Sequence, residues 1–141
     1  FQGTVTGERY RQEFLDPFIH QLDDEELHVG YFQQDGATAH TAGLTLEYLR
    51  EFYDNRLISL GSDQEFPPRS PDLTPLDFSV FGYIKDQVFK QEFHNLEQLQ
   101  DEITRCCLTI DREMLQNIFQ NMKRRIRLCL QSNGEHFQHL L

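Results

Sequence analysis

The chain has 141 residues and a mass of 16.7 kDa, the size of one domain with little room for a second. Hydrophobic residues at 38% and charged residues at 26% make a composition that folds, which excludes a disordered chain. Twenty-three Asp and Glu against 13 Lys and Arg give a net charge of -10, which argues against a protein that grips nucleic acid with its whole surface.

No stretch approaches 18 apolar residues, and the start lacks a basic-then-apolar signal pattern, so neither a membrane span nor secretion is expected. Cys106 and Cys107 are adjacent and Cys129 stands alone, which is no disulfide framework and points to a reducing compartment. Two of the three fall on apolar helical stripes, where a free thiol acts as a small hydrophobe.

In chain order, residues 1–6 read as an extended segment. Thr6 is placed to cap a helix with Glu8 in its first turn. Tyr10, Phe14, Phe18 and Leu22 recur every four positions along it, with a kink expected at Pro17. The acidic run from Asp23 to Glu26 reads as a loop, and His28 to Gln34 as a strand ending at Asp35-Gly36. Ala42, Leu46, Leu49 and Tyr53 mark one face of a second helix, and Leu57 to Leu60 a short strand. Four of the five prolines lie between Pro67 and Pro75, which stiffens the backbone up to a helix start with Thr74 as cap, Pro75 first and Asp77 third. Phe78, Phe81, Ile84 and Val88 continue at helical spacing. Asn95 and Gln98 have capping-box spacing before a stripe of Leu96, Leu99, Ile103, Cys106 and Ile110. Asp111 is placed to cap a last helix carrying Leu115, Ile118, Met122, Ile126 and Cys129, which Asn133-Gly134 would stop. Strands alternating with helices, then helices alone, predict an α/β fold.

Two carboxylates stand in informative places. Asp35 follows a strand, and ligands in open α/β sheets gather beyond the carboxyl ends of strands. Asp77 is delivered by the stiff segment into a helix's first turn. The 41 residues between them hold one helix and one strand, a connection that can return both to one end of a sheet. Such a pair suits Mg²⁺, which takes oxygen ligands and only one or two carboxylates. Two ions about 4 Å apart activate water and steady the leaving oxygen in phosphodiester cleavage. The same two residues also fit a helix cap and an ordinary turn, and spacing does not choose between the readings.

Longer motifs carry more. YFQQDGATAH (Tyr31 to His40) and PPRSPDLTPLDFSVFGYIKDQVF (Pro67 to Phe89) together resemble the catalytic domain of mariner-type DNA transposases. TVTGERY (Thr4 to Tyr10) and the closing basic helix with NGEHFQHLL are similar to the same family, so the resemblance spans essentially the whole chain. It implies an RNase H-like fold, incomplete at its N-terminus and extended by C-terminal helices, with residues 1–141 as one partial domain. It implies an aspartate triad holding two Mg²⁺ or Mn²⁺ ions, with Asp35 as second acid and Asp77, rather than Asp72, as third. The first acid belongs upstream of the TVTGERY-like segment. Glu8, Glu13 and Asp16 lie on a helix and do not replace it, so the chain alone is expected to be inactive. The implied partner is DNA, namely transposon ends, with a homodimer in the complete protein, a nuclear setting, and neither a membrane nor a small-molecule cofactor. Phe66 stands where many relatives carry Trp, a change that still allows packing.

Other candidates have two readings each. His40 lies near the metals by resemblance without being a ligand, or is a hydrogen-bonded surface histidine. Lys123, Arg124, Arg125 and Arg127 form the one basic cluster, either a phosphate-contacting face or the solvated side of an amphipathic helix. Arg69 sits in the proline-rich stretch, ready for a phosphate or for water. His136 and His139 have a zinc-like spacing but no acid or thiol to complete it. The alternative to a nuclease or transposase is a non-catalytic nucleic-acid- or protein-binding module derived from one.

Overall fold

The computed structural model describes residues 3–141; Phe1 and Gln2, the start of the expected extended segment, lie outside the described residues. The chain divides into two compact units, the first ending at Arg69 and the second Ser70–Leu141.

In the first unit, α1 (Gly7–Tyr10) begins at Thr6, whose hydroxyl accepts the Arg9 N–H at 3.3 Å. Gly7 has a steric reason: a Cβ there would lie 2.9 Å from the Ala42 Cβ, so any side chain would push this helix away. The helix runs through a wider π turn, Arg11–Leu15, into α2 (Asp16–Ile19). Pro17 therefore does not break it. The π turn lies directly before the proline, where the missing N–H and the ring's demand on the i−4 carbonyl are absorbed.

The acidic run is not a loop. Asp23 accepts the Glu26 N–H at 2.8 Å while the Glu26 carboxylate accepts the Asp23 N–H at 3.0 Å, a full capping box that starts α3 (Asp24–Val29). The strand expected over His28 to Gln34 shrinks accordingly to β1 (Phe32–Gln33), paired in parallel with β2 (Leu57–Ile58). Between them runs α4 (Gly43–Tyr53), which buries Thr45, Leu46, Leu49 and Tyr53. Leu15, Ile19, Leu46, Leu49, Tyr53 and Leu57 form the core, with Phe32 and Tyr48 packed on it. The β-α-β unit thus encloses one apolar centre, and the polypeptide leaves it at Phe66, buried at 4% exposure.

In the second unit a 3₁₀ turn, Pro71–Leu73, leads to a π turn, Leu76–Val80, that runs into α5 (Phe81–Val88). Thr74 does not cap this helix with its side chain. Its carbonyl accepts the N–H groups of Asp77 and Phe78, both at 3.0 Å, while its hydroxyl is buried without a partner among the described residues. Asn95 starts α6 (Leu96–Leu108) by accepting the Gln98 N–H at 2.9 Å, but the Gln98 amide reaches back to the His94 N–H instead of closing the box. Asp111 caps α7 (Arg112–Gln131) through the Met114 N–H at 2.8 Å. Asn133 and Gly134 end it with φ of 52° and 82°, and the Gly134 N–H bonds the Cys129 carbonyl at 2.9 Å. Cys106, Ile118, Val88 and Phe137 are buried here.

Arg105 grips Glu102 with two nitrogens, at 2.8 and 2.5 Å. That hydrogen bonding, more than the opposing burial, pulls the Glu102 carboxyl down to about 2 from an ordinary 4.5. Because the folded value lies below the unfolded one, the unfolded chain takes up more protons between these values and stability falls as pH drops through that window. Thermal melts from pH 5 to 2 should show a shallower acid-side decline for Glu102→Gln than for the wild type; superimposable slopes would discount the pair.

Candidate catalytic carboxylates

Asp35 is positioned by the residue before it. Gln34 is buried at 6% exposure and extends the β1 ladder by donating its N–H to the Ile58 carbonyl at 3.0 Å. Its side-chain amide donates to the His40 carbonyl and to the Ser59 hydroxyl, both at 3.0 Å, and its amide oxygen accepts the Tyr10 hydroxyl at 3.3 Å. A buried amide with its partners in place is rigid, because breaking any bond would leave a polar atom stranded. One side chain therefore ties α1, the strand end and the following loop together.

From this anchor Asp35 projects with its side chain half exposed, at 49%. One carboxylate oxygen, Oδ1, accepts the Ala37 N–H at 3.0 Å and His40 Nδ1 at 2.6 Å. The acceptor is a carboxylate oxygen, so the imidazole proton is assigned to Nδ1. Among the described residues nothing bonds the second oxygen. The His40 ring lies 4.4 Å from the Tyr10 ring, and the Tyr10 phenol is pushed up to about 12, first by burial and then by the Asp35 charge. His40 lies in a turn that precedes α4. Its backbone N–H bonds the Ala37 carbonyl at 2.9 Å.

Asp77 lies in the second unit, in the first turn of the Leu76–Val80 segment, and is exposed. Its N–H is held by Thr74, while its carboxylate takes no hydrogen bond or ion pair among the described residues. Asp72 differs: its backbone carbonyl accepts Arg125 Nη1 at 3.1 Å. Arg69 is exposed and held at φ 57°, a left-handed backbone that costs a non-glycine residue about 1 kcal/mol or more.

The basic cluster is split. Lys123, Arg124 and Arg127 are exposed, whereas Arg125 is partly buried, with its guanidinium carbon 4.2 Å from the centre of the Phe78 ring. His136 and His139 have ring centres 6.4 Å apart, and among the described residues no group of three or more His, Cys, Asp or Glu is arranged to hold a metal. The structure thus joins Asp35 to His40 and Arg125 to the Asp72–Phe78 turn. Gln34 and Tyr10 are site residues that motif reading passed over. A glutamine at an inward position of a strand end was the available signal for the first.

The donors at both aspartates fit a hard divalent cation: each offers carboxylate oxygen with at least one atom unclaimed among the described residues, and at Asp35 the other atom is fixed by two donors.

No family model matches the chain. In sequence it is similar to human histone-lysine N-methyltransferase SETMAR, with 25% identity over 139 residues. That stretch is 95% of this chain but 19% of the relative, so the chain spans about a fifth of it. In fold it is similar to the Mos1 transposase catalytic domain, solved with raltegravir and Mn, at a TM-score of 0.80, 22% identity, 97% coverage of this chain and 68% of that one. The same domain with raltegravir and Mg gives 0.79, 21%, 97% and 67%. The RNase H-like fold implied by the motifs is the fold observed. Likeness in sequence and in fold both support the resemblance to part of a mariner-type transposase catalytic domain.

Proposed function

We propose, for a chain with the fold of a mariner-type transposase catalytic domain, that it binds DNA and supplies Asp35 and Asp77 as ligands for Mg²⁺ or Mn²⁺ in phosphodiester cleavage and strand transfer. The observation that carries this reading is the Asp35 carboxylate, tied at one oxygen by Ala37 and His40 and, among the described residues, open at the other. A divalent ion at such carboxylates lowers the pKa of bound water and offsets charge on the attacked phosphate.

The chain's own residues do the rest. The Nδ1–H of His40 fixes the direction of the Asp35 carboxylate, while Gln34 fixes the loop that carries both. Asp77 brings a second negative charge on a backbone stiffened by prolines. Lys123, Arg124 and Arg127, exposed on α7, neutralise phosphates. The reading requires a third carboxylate, which the resemblance assigns upstream of Thr4. It also gives transposon ends as the substrate, a second copy as partner in the complete protein, and the nucleus as the setting. Among the described residues no helix is long and apolar enough to cross a membrane.

Mn²⁺ titration of the isotope-labelled chain tests the ligands directly. Paramagnetic broadening is expected at Asp35 and at Asp77; broadening at neither would remove the metal reading. Changing Lys123, Arg124 and Arg127 together to Ser should weaken DNA binding and reduce the slope of log affinity against log salt by about 2 to 3. An unchanged slope would discard α7 as the DNA face. DNA binding without metal-dependent cleavage in the native full-length protein would favour the non-catalytic module.

A further inference from the structure

The run from Lys123 to Arg127 has one member on the wrong side for DNA. At about 100° per residue, Lys123, Arg124 and Arg127 share one arc of α7, whereas Arg125 lies one heptad from buried Ile118, on the helix face turned into the second unit. Its contacts match that placement. Nη1 donates to the Asp72 carbonyl at 3.1 Å, the guanidinium carbon stands over the Phe78 ring 4.2 Å from its centre, and Nε is buried without a hydrogen bond among the described residues. Burial lowers the tendency of Arg125 to hold its charge, partly offset by Asp72. A planar, weakly hydrated guanidinium tolerates such a site because it stacks on an aromatic ring while still donating to a carbonyl.

Asp72 and Phe78 bracket the turn that presents Asp77. Within it, Thr74 accepts the N–H groups of Asp77 and Phe78. One side chain from α7 therefore holds both flanks of a short segment whose next-to-last residue, Asp77, is a candidate metal ligand. We infer that Arg125 is a positioning residue that clamps the Asp72–Phe78 turn and thereby aims the Asp77 carboxylate outward, and that it makes no phosphate contact. The inference rests on the reading of Asp77 as a ligand; the clamp itself is tested separately from that reading.

The test uses amide exchange, Mn²⁺ broadening and DNA titration on the full 141-residue chain. Arg125→Ala should speed exchange at Asp77 and Phe78 by about tenfold or more while Ile118 and the middle of α6 keep their protection. Arg125→Lys should fall between, because an ammonium keeps the charge but loses the planar stack. At fixed Mn²⁺, broadening should fall at Asp77 and persist at Asp35. The salt slope of DNA binding should match the wild type in both variants. Should Arg125→Ala unfold the second unit, Arg125→Lys decides, with exchange at the two amides rising at least about threefold against an unchanged α7. Wild-type exchange at Asp77 and Phe78 in either folded variant overturns the clamp. So does a salt slope reduced by about one, the signature of a lost phosphate contact. Absence of Mn²⁺ broadening at Asp77 in the wild type would remove the ligand reading, and the exchange result would still decide the clamp.

Discussion

Asp35→Asn in the native full-length protein is expected to reduce metal-dependent strand cleavage by about three orders of magnitude or more, with DNA affinity held within about twofold. The substitution suits the geometry because it is nearly isosteric. An Asn at this position keeps a carbonyl oxygen for the Ala37 N–H and for His40 Nδ1, so the loop is retained. What disappears is the negative charge, and a dication site loses far more from a neutral ligand than the fold does. Asp77→Asn should behave alike for a simpler reason. Its carboxylate supports nothing else among the described residues and is exposed, so the change leaves packing alone. Circular dichroism and melting temperature should match the wild type in both variants. Cleavage surviving in one of them would remove that aspartate from the site, and cleavage lost together with the fold would assign it a structural role instead.

Leu49→Ala is expected to be the most damaging single truncation in the first unit. Leu49 is fully buried at 0% exposure, as is Leu57 across from it, and both belong to the cluster that joins α2, α4 and β2. Removing a buried leucine side chain costs about 2–5 kcal/mol, the loss of transfer energy plus the cavity left behind. A unit of this size has a total stability of about the same magnitude, so the variant should unfold its first unit near ambient temperature. The consequence reaches the site. Phe32 of β1 stacks 5.2 Å from Tyr53 of α4, and Gln34 and Asp35 follow directly, so a collapsed core releases the carboxylate from its anchor. Urea unfolding followed by tyrosine fluorescence measures this; a loss under about 1 kcal/mol would mean the core lies elsewhere.

The sequence was most legible where a local rule has no competitor. The caps at Thr6 and Asp111, the α4 face of Leu46, Leu49 and Tyr53, and the stop at Asn133-Gly134 all follow from side chains acting within a few residues of themselves. Two local rules compete at other positions. The charge run from Asp23 to Glu26 suits a loop, yet Asp-x-x-Glu is a capping box, and its helix takes the first two residues of the expected strand. Thr74 sat correctly for a cap but uses its carbonyl, because Pro75 and the π turn after it set the backbone before the hydroxyl can reach an N–H.

For the site, the motifs alone singled out Asp35 and Asp77 as candidates, since those residue types carry the chemistry wherever the chain puts them. Folding decided which atoms stay available. The split of the basic cluster depends on the angle at which α7 meets the Asp72–Phe78 turn, a long-range contact that no window of sequence contains. Likewise Gln34 earns its role only when Tyr10, His40 and Ser59 arrive around it from three separate segments. Composition, capping and motif are local properties and are written in the chain; burial and hydrogen-bond partnership are properties of packing, and only the tertiary structure assigns them.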